Sequence, residues 1–152
     1  MRRVVLFMAL ACAACAPASG ADDGPSSLDL VIRTDEGSVI VSVEVADTPE
    51  ERAAGLMNRA SLAPDAGMAF LWPETTTGSF WMKDTLIPLS IAFWDKGGRI
   101  VSIIDMEPCR ADPCRSYDPG TGYAGAVEVN HGFFAEHGVE LGDRVELGPG
   151  RP

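Results

Sequence analysis

The chain has 152 residues, a length that favours a single domain able to bury a sizeable hydrophobic core. The sequence is 46% hydrophobic, with 16 glycines and 11 prolines, which indicates a globular protein rich in turns. The formal charge of −10 at pH 7 disfavours nonspecific binding to nucleic acid or to an anionic membrane surface, because both repel an acidic protein.

The N-terminus has the pattern of a secretory signal peptide. A short positive head, Met1–Arg3, precedes the apolar stretch Val4–Ala14, which is too short to cross a bilayer as a helix of about 20 residues. We therefore predict a signal peptide over residues 1–21, a flexible tether over residues 22–27 and a single domain over residues 28–148. The protein is expected to be exported to the periplasm or cell envelope.

The leader allows two processing routes. The motif Cys12-Ala13-Ala14-Cys15 resembles a bacterial lipobox, in which the last cysteine is lipidated, although Cys12 stands where such boxes usually carry leucine. The alternative is ordinary cleavage after Ser19-Gly20-Ala21. We favour lipidation of Cys15, and a lipid anchor would then be the protein's only contact with the membrane.

The domain begins with the alternation typical of a β-hairpin. Apolar residues recur at every second position in Leu28–Thr34 and again from Val39 to Val45. Between them, Asp35-Glu36-Gly37 is a turn signal. The sequence therefore predicts two antiparallel strands at the start of the fold.

A short helix is predicted next, over about residues 49–57. Thr48 and Glu51 can form a capping box, and Pro49 suits the first helical position because no hydrogen-bond donor is needed there. Within this helix a common face, expected to lie on the sheet, carries Ala53, Leu56 and Met57.

Further strands are predicted from short apolar or alternating runs bounded by turn residues. They are Met68–Trp72, Leu89–Trp94, Arg99–Met106, Tyr123–Asn130 and Arg144–Leu147, and one helical turn is expected at about residues 133–137. The predicted fold class is mainly β (α+β): a small barrel- or sandwich-like antiparallel sheet with one short helix and one helical turn.

Cys109 and Cys114 are the residues whose chemistry is easiest to interpret. Four residues separate them in a loop of a protein predicted to be exported, and an oxidising compartment favours a disulfide. Reactive thiols usually have two intervening residues at a helix start, and a metal site is the remaining alternative. We predict a structural bridge that contributes about 2 kcal/mol by holding the surrounding loop.

Several motifs occur together and in a specific order. They are Thr48-Pro49-Glu50-Glu51-Arg52, Gly67-Met68-Ala69-Phe70, Phe80-Trp81-Met82-Lys83 with Thr85 and Pro88 after it, Glu128-Val129-Asn130, and Gly138-Val139 with Gly142-Asp143. In these motifs the chain resembles family 192 of domains of unknown function, also called the UPF0127 family, over about residues 28–147. The resemblance implies a compact, mainly β domain, often exported, with no assigned biochemical role.

The chain departs from the family pattern at two positions. Asp84 stands where asparagine is more usual, and Ser90 stands where an aspartate usually follows Pro-Leu. If that aspartate is a ligand or catalytic group in relatives, this chain lacks it, which weakens an enzymatic interpretation.

The segment around Trp81 is the main candidate for a binding site. In an extended segment Trp81 and Lys83 point to one side and Met82 to the other, so an indole and an ammonium group would face outward together. The indole could stack on a planar or sugar-like ligand, while Lys83 and Arg59 could meet a carboxylate or phosphate. The competing interpretation buries Trp81 in the core and leaves Lys83 as an ordinary surface charge.

We predict a noncatalytic domain that binds a small molecule or an envelope protein, with no cofactor and no metal. The predicted ligand-binding set is Arg59, Trp81, Met82, Lys83, Thr85 and Glu128. If Glu128 is buried on its strand it needs a partner, for which Lys83 or Arg59 is the natural candidate.

Two alternative functions use some of the same residues. Glu128 as an acid/base group would make the protein a hydrolase of cell-wall or glycan material. Thioether and imidazole groups suit Cu(I), and a periplasmic copper-binding protein would use Met57, Met68, Met82, Met106, His131 and His137. The spacing of these residues shows no ligand pattern, however, and methionines on helix and strand faces usually fill a core.

Overall fold

The computed structural model describes residues 27–150, so the predicted signal peptide, Cys15 and nearly all of the tether lie outside the described residues. Within that range the chain forms nine strands and two short helices. In chain order they are β1 (Ser27–Thr34), β2 (Gly37–Ala46), α1 (Pro49–Ala54), β3 (Ala66–Thr76), β4 (Phe80–Trp81), β5 (Leu89–Trp94), β6 (Ile100–Met106), β7 (Ser116–Tyr117), β8 (Tyr123–Asn130), α2 (Phe133–Glu136) and β9 (Arg144–Gly150). None of the helices in this part of the chain has the length and apolarity needed to span a membrane.

Seven of the strands form one sheet in the order β6-β5-β8-β3-β2-β1-β9, and β4 pairs with β7 in a separate ribbon. Neighbouring strands are antiparallel except for β2 and β3, which are parallel and are joined by a crossover that contains α1. The predicted mainly β fold with a largely antiparallel sheet is therefore confirmed, and one parallel pair is the exception to it.

The sheet brings its two edge strands together at one end without closing into a barrel. Arg99 and Arg144 form a single bridge between the β6 and β9 sides. Beside this bridge the Val145 amide donates to the Gly98 carbonyl at 2.7 Å. Within the described residues the two edge strands form no further β-bridges. The sheet therefore curls as the barrel-like prediction expects, but it stays open.

Each face of the sheet carries its own hydrophobic cluster, because side chains alternate along the strands. Along β8, Val127 and Val129 belong to the first cluster, which α2 completes. Ala126 belongs to the second cluster, together with Phe93 of β5. Glu128 stands two residues beyond Ala126 and therefore projects toward the second cluster.

Helix α1 begins as the sequence predicts and ends earlier. The Thr48 hydroxyl accepts from the Glu51 amide at 3.2 Å, and the Glu51 carboxylate accepts from the Thr48 amide at 3.1 Å. Gly55 ends the helix with a φ of +48°, a left-handed conformation that glycine adopts without steric cost. Leu56 is buried just beyond the helix, but Ala53 is exposed, so its predicted packing on the sheet is wrong.

The other predicted elements are present, β5 and β8 with the predicted bounds and the rest with shifted ones. The two hairpins are β1–β2 and β5–β6, and the predicted strand over residues 123–130 is β8. Strand β3 continues through Pro73 instead of ending before it, and its pairing with β8 is interrupted between Leu71 and Thr76. Helix α2 matches the predicted helical turn, and Gly138 follows it with a φ of +64°.

Candidate functional site

A cleft of about 180 Å³ opens on the face of the sheet that carries the second cluster. Helix α1 and the residues after it form one wall, strands β3 and β8 form the floor, and the segment around β4 forms another wall. The lining residues are Arg52, Ala53, Ala54, Gly55, Met57, Phe70, Trp72, Thr76, Gly78, Ser79, Phe80, Trp81, Thr85, Tyr123 and Glu128.

Aromatic rings make up much of this lining. Phe70 meets Phe80 edge-on with 5.1 Å between ring centroids, and Trp72 meets Tyr123 in the same manner at 5.2 Å. Phe80 also lies 6.1 Å from Trp72. Edge-to-face contacts of this kind hold the rings in defined orientations, so the apolar sides of the cleft are well ordered.

Glu128 is a buried acid on the floor of the cleft. Only 5% of its surface is exposed, and its neighbours across the sheet are Met68 on β3 and Ile91 on β5, both apolar. No group among residues 27–150 donates a hydrogen bond to its carboxyl or pairs with it as a cation. Burial without a partner raises the pKa of Glu128 to about 8. At neutral pH the carboxyl is therefore mostly protonated and can both donate and accept a hydrogen bond.

Four hydroxyl-bearing residues line the cleft, Thr76, Ser79, Thr85 and Tyr123, and the last two make hydrogen bonds within the protein. The Thr85 side chain is buried and donates only a long hydrogen bond, 3.4 Å, to the Lys83 carbonyl. The Tyr123 hydroxyl donates to the Gly78 carbonyl at 2.7 Å. Burial, aided by the charge of Asp118, raises the pKa of Tyr123 to about 12, so this phenol stays neutral at physiological pH.

Arg52 contributes a positive charge to the wall formed by α1. Its guanidinium carbon lies 5.2 Å from the ring centroid of Trp72. Its Nη1 group donates to the carbonyl of Asp47 and, at 2.9 Å, to the carbonyl of Leu71. These contacts hold the charge beside the aromatic lining and tie α1 to β3.

Strand β4 presents Trp81 at the rim of the cleft. Its side chain is 53% exposed, and the Lys83 Nζ atom lies 5.8 Å from its ring centroid. Met82 between them is buried in the second cluster. This geometry agrees with the prediction that the indole and the ammonium group face outward while Met82 points inward.

Three of the predicted binding residues, Arg59, Met82 and Lys83, do not line the cleft. Lys83 Nζ pairs with Asp112 at 2.7 Å, and Arg59 forms a two-pronged contact with Glu44 at 2.5 and 2.6 Å. The prediction that Lys83 or Arg59 is the partner of Glu128 is therefore wrong. In each case folding brings a carboxylate from another part of the chain next to the cation. No pattern in the sequence predicts either ion pair.

The structure brings three of the six predicted binding residues together. Trp81, Thr85 and Glu128 line the cleft, while Met82 packs beneath its wall. The sequence reasoning missed Arg52 and the aromatic floor around Trp72. The alternation of β3, which puts Met68, Phe70 and Trp72 on one face, was the signal that could have found the floor.

The disulfide between Cys109 and Cys114 is present, with a Cα–Cα distance of 5.7 Å. Backbone bridges join Cys109 to Lys83 and to Thr85. Just beyond the disulfide, β7 pairs with β4 through Tyr117 and Phe80, so the disulfide loop supports the wall of the cleft that carries Trp81.

The two departures from the family pattern lie away from the lining of the cleft. Ser90 donates to the Asp105 carboxylate and accepts from the Gly132 amide at 2.9 Å, so it serves the packing between β5, β6 and α2. Asp84 has a φ of +53°, a left-handed conformation that asparagine and aspartate both tolerate better than most residues. The exchange of asparagine for aspartate therefore keeps the local backbone.

The residues of the copper hypothesis are divided between two regions. Met68, Met82 and Met106 are buried in the second cluster. His131 and His137 line a separate groove beside α2. Within residues 27–150 no group of three or more histidine, cysteine, aspartate or glutamate side chains is arranged to hold a metal ion.

The fold and the site define a small, mainly β domain with a protonated acid beneath an aromatic cleft. The model of the DUF192 family, described as an uncharacterized ACR, matches residues 31–147, and the chain belongs to that family. The chain is therefore a member of domain-of-unknown-function family 192. No curated protein matches the sequence at a significant level.

The solved structures that are similar to this chain include the following two. A candidate transcription regulator from Sinorhizobium meliloti 1021 shares 32% sequence identity with a TM-score of 0.74, and the match covers 84% of this chain and 98% of that one. A protein of unknown function from Novosphingobium aromaticivorans DSM 12444 shares 30% identity with a TM-score of 0.75, and the match covers 88% of this chain and 94% of that one.

Proposed function

We propose that this domain binds a small ligand in the aromatic cleft without transforming it. Glu128 and Thr85 supply polar contacts at the floor, and Trp81 closes on the ligand from the rim. The observation that carries the proposal is Glu128 itself, a carboxyl that lines a cleft and has no partner among the described residues.

Burying a carboxyl among apolar neighbours with no partner from the protein has a desolvation cost, because the floor of the cleft gives it less contact with water than the open surface does. An apolar residue between Met68 and Ile91 would avoid that cost and would suit the second cluster. A ligand that makes hydrogen bonds with Glu128 would offset the cost in the bound state. The Thr85 hydroxyl, which makes only a long internal contact, supports the same interpretation.

Trp81 supports a ligand at the rim of the cleft. An indole that is 53% exposed leaves a large apolar surface in contact with water. Indoles in this position commonly stack on planar or sugar-like groups, because the ring combines apolar area with a polarised π face. We propose that the bound ligand covers part of this surface.

The transcription-regulator description of the Sinorhizobium relative does not lead us to propose nucleic-acid binding. The chain carries a formal charge of −10, and 22 acidic residues oppose 12 basic ones. Contacts with the phosphate backbone need the opposite balance.

The test is a titration followed by NMR signals of the indole N–H groups. The probes are neutral 2-pyridone, cationic benzylamine and anionic benzoate, each of which is small enough for the cleft. Fragments of this size offer few contacts, so the titration extends to millimolar probe concentrations. We expect at least one probe to shift the Trp72 and Trp81 signals in a saturable way, while Trp94 on the other face stays unchanged.

Two variants check where the probe binds. Trp81→Ala should weaken binding several-fold, because it removes the exposed ring at the rim. Arg59→Gln should leave binding unchanged, because Arg59 pairs with Glu44 outside the cleft. If no probe gives a saturable shift at Trp72 and Trp81, or if Arg59→Gln weakens binding as much as Trp81→Ala does, the proposal is overturned.

Hydrolysis of cell-wall or glycan material is the second candidate function. The observation that favours it is the raised pKa of Glu128, since catalytic acids are often buried in this way. Glycoside hydrolysis usually needs two carboxyl groups, and Glu128 is the only acidic residue among the described residues that line the cleft. Soluble product released from peptidoglycan by the natural protein, and lost in a folded Glu128→Gln variant, would establish this function instead.

We also propose that the domain acts in the cell envelope. The leader with its positive head and short apolar stretch supports export. The pairing of Cys109 with Cys114 supports an oxidising compartment, because such bridges are rare where thiols are kept reduced.

A further inference from the structure

We propose that the ligand of the cleft presents the edge of a planar cyclic amide, an N–H group beside a C=O group on a flat ring, to the Glu128 carboxyl. This assignment rests on the proposed function and names the class of ligand for that same site. It draws on the state of the carboxyl, the shape of the cleft and the charges around it.

The first feature is the carboxyl edge that Glu128 offers. Met68 and Ile91 flank it across the sheet, and nowhere in residues 27–150 does it find a donor or a cation. A carboxyl in such surroundings keeps its proton, because its ionised form would lose hydration with nothing in exchange. A protonated carboxyl has an O–H donor beside a C=O acceptor, and the complementary edge is the acceptor and donor pair of a cyclic amide.

The second feature is the shape of the cleft. Its volume of about 180 Å³ lies below the range of roughly 300 to 1,000 Å³ that is typical of sites for drug-sized ligands. The rings of Phe70, Phe80 and Trp72 are packed edge-on against one another and offer apolar surface to a ligand. A single flat ring suits this space, and the exposed indole of Trp81 supplies a further face for stacking.

The third feature is the charge around the cleft. The Arg52 guanidinium, held over Trp72, disfavours a cationic ligand in the space beside it. A protonated Glu128 gives no ion pair to a cation, and its burial among apolar residues disfavours an anion at the floor. A neutral ligand meets neither penalty.

Glu128 is the one group facing the cleft whose charge changes near neutral pH, among the described residues. From α1 the facing group is the Arg52 guanidinium, and from β8 it is Tyr123, whose pKa is raised by burial to about 12. The cross-strand partners of Glu128 are Met68 on β3 and Ile91 on β5, and the residues of β3 that line the cleft carry no ionisable side chain. The segment around β4 contributes Trp81, Thr85 and other uncharged residues.

The test compares 2-pyridone with N-methyl-2-pyridone, which has the same ring and carbonyl but no N–H group. We expect 2-pyridone to bind the natural protein and the methylated probe to bind at least several-fold more weakly. Deprotonation of Glu128 should weaken 2-pyridone binding by about 30-fold between about pH 6.5 and about pH 9.5, since only about 3% of the carboxyl keeps its proton at the higher pH.

Two substitutions of Glu128 separate a neutral edge from a charge. Glu128→Gln keeps a donor beside an acceptor, so it should retain 2-pyridone binding and lose the pH dependence. Glu128→Leu removes both groups and should abolish the preference for 2-pyridone over its methylated form. Thermal unfolding of each variant shows whether it is folded at the temperature of the titration.

The outcomes distinguish this inference from the proposed function. If benzylamine binds the cleft better than 2-pyridone, and binds more tightly as the pH rises, the site takes cations and the inference is overturned while the proposed function stands. Equal binding of 2-pyridone and N-methyl-2-pyridone also overturns the inference alone. If no probe perturbs Trp72 or Trp81, both fail.

Discussion

At the scale of the residue, three glutamates show how strongly the surroundings decide the chemistry of one side chain. A hydrogen bond and ion pair with Arg59 lower the pKa of Glu44. Hydrogen bonds from the backbone and side chain of Thr48 lower the pKa of Glu51 in the capping box. Glu128 has no such partner among the described residues, and burial raises its pKa to about 8. Of these three glutamates, Glu128 is the one whose ionisation lowers the stability of the folded protein.

We predict that Glu128→Gln is more stable than the natural protein at alkaline pH. The pKa of about 8 in the folded state lies above the ordinary value of 4.5, so the folded protein holds a proton that the unfolded chain releases. This contribution to stability is fully present below pH 4.5 and is lost as the pH rises through 8, by a total on the order of 5 kcal/mol. Glutamine carries no charge, so the free energy of unfolding of the Glu128→Gln variant does not fall in this way as the pH rises.

Urea denaturation at intervals between about pH 5 and about pH 9 measures the effect. Glu136→Gln, a change at an exposed position on α2, is the matched control and should follow the natural protein. If the free energy of unfolding of Glu128→Gln declines with pH as steeply as that of the natural protein, Glu128 is ionised at neutral pH and its assigned state is wrong.

At the scale of the element, α1 is the wall of the cleft with the weakest attachment. None of the residues in Pro49–Ala54 is buried, so the helix gains little from packing. Its position depends on the capping box at Thr48, on the contacts of Arg52 with Leu71 and Trp72, and on Leu56 just beyond it.

Thr48→Ala is expected to lower the free energy of unfolding by about 1 kcal/mol, because it removes the acceptor for the Glu51 amide. It should also weaken 2-pyridone binding, because α1, which carries Arg52, loses the hydrogen bond that fixes its first turn. Denaturation and the NMR titration measure the two effects. Thr48→Ser keeps a capping hydroxyl and should behave as the natural protein; equal losses in both variants would mean that the cap does not hold the wall.

The disulfide loop supports the other wall of the cleft, which is formed by the segment around β4. Cys109 bridges the backbone of Lys83 and Thr85, and β7 pairs with the short strand that carries Trp81. Closing so short a loop stabilises modestly, by about 2 kcal/mol in the chain-entropy description. The disulfide therefore stabilises the segment that carries Trp81 at the rim of the cleft.

We predict that replacing both Cys109 and Cys114 with serine lowers the free energy of unfolding by about 2 kcal/mol and broadens the indole signal of Trp81. The Trp94 signal, on the other face of the sheet, should stay sharp. Denaturation and NMR line widths provide the readout. A loss of stability with an unchanged Trp81 signal would show that the loop does not position the rim.

At the scale of the whole molecule, the leader predicts a protein that is exported from the cytoplasm. Expressed as the full chain in a bacterial host, the natural protein should fractionate with membranes if Cys15 is lipidated. Cys15→Ala should then release it to the soluble periplasmic fraction, because the anchor is the only predicted membrane contact.

Cys12→Ala leaves the predicted modification site in place and is the matched control, which should stay with the membranes. Mass spectrometry of the mature protein gives its first residue. A soluble natural protein that begins after Ala21 would show ordinary cleavage and would rule out the lipid anchor.

Much of the fold could be predicted from the sequence, because its signals are local. The capping box at Thr48, the two hairpins and the pairing of Cys109 with Cys114 each depend on residues close together in the chain. The parallel pairing of β2 with β3 could not be predicted, since alternation shows that a strand exists and says nothing about its neighbour. The early end of α1 at Gly55 depends on a backbone angle that the periodicity of the helix does not report.

By itself the sequence determined the family and the mainly β class, and it predicted the disulfide and an outward Trp81 beside Lys83 while leaving a buried Trp81 open as the alternative. Only the tertiary structure decided that Glu128 lies at the floor of the cleft with no partner in residues 27–150, while Arg59 pairs with Glu44 and Lys83 pairs with Asp112. The reason is physical: the proton affinity of a carboxyl is set by desolvation and by nearby charges, and both come from residues that are distant in the chain and adjacent only after folding.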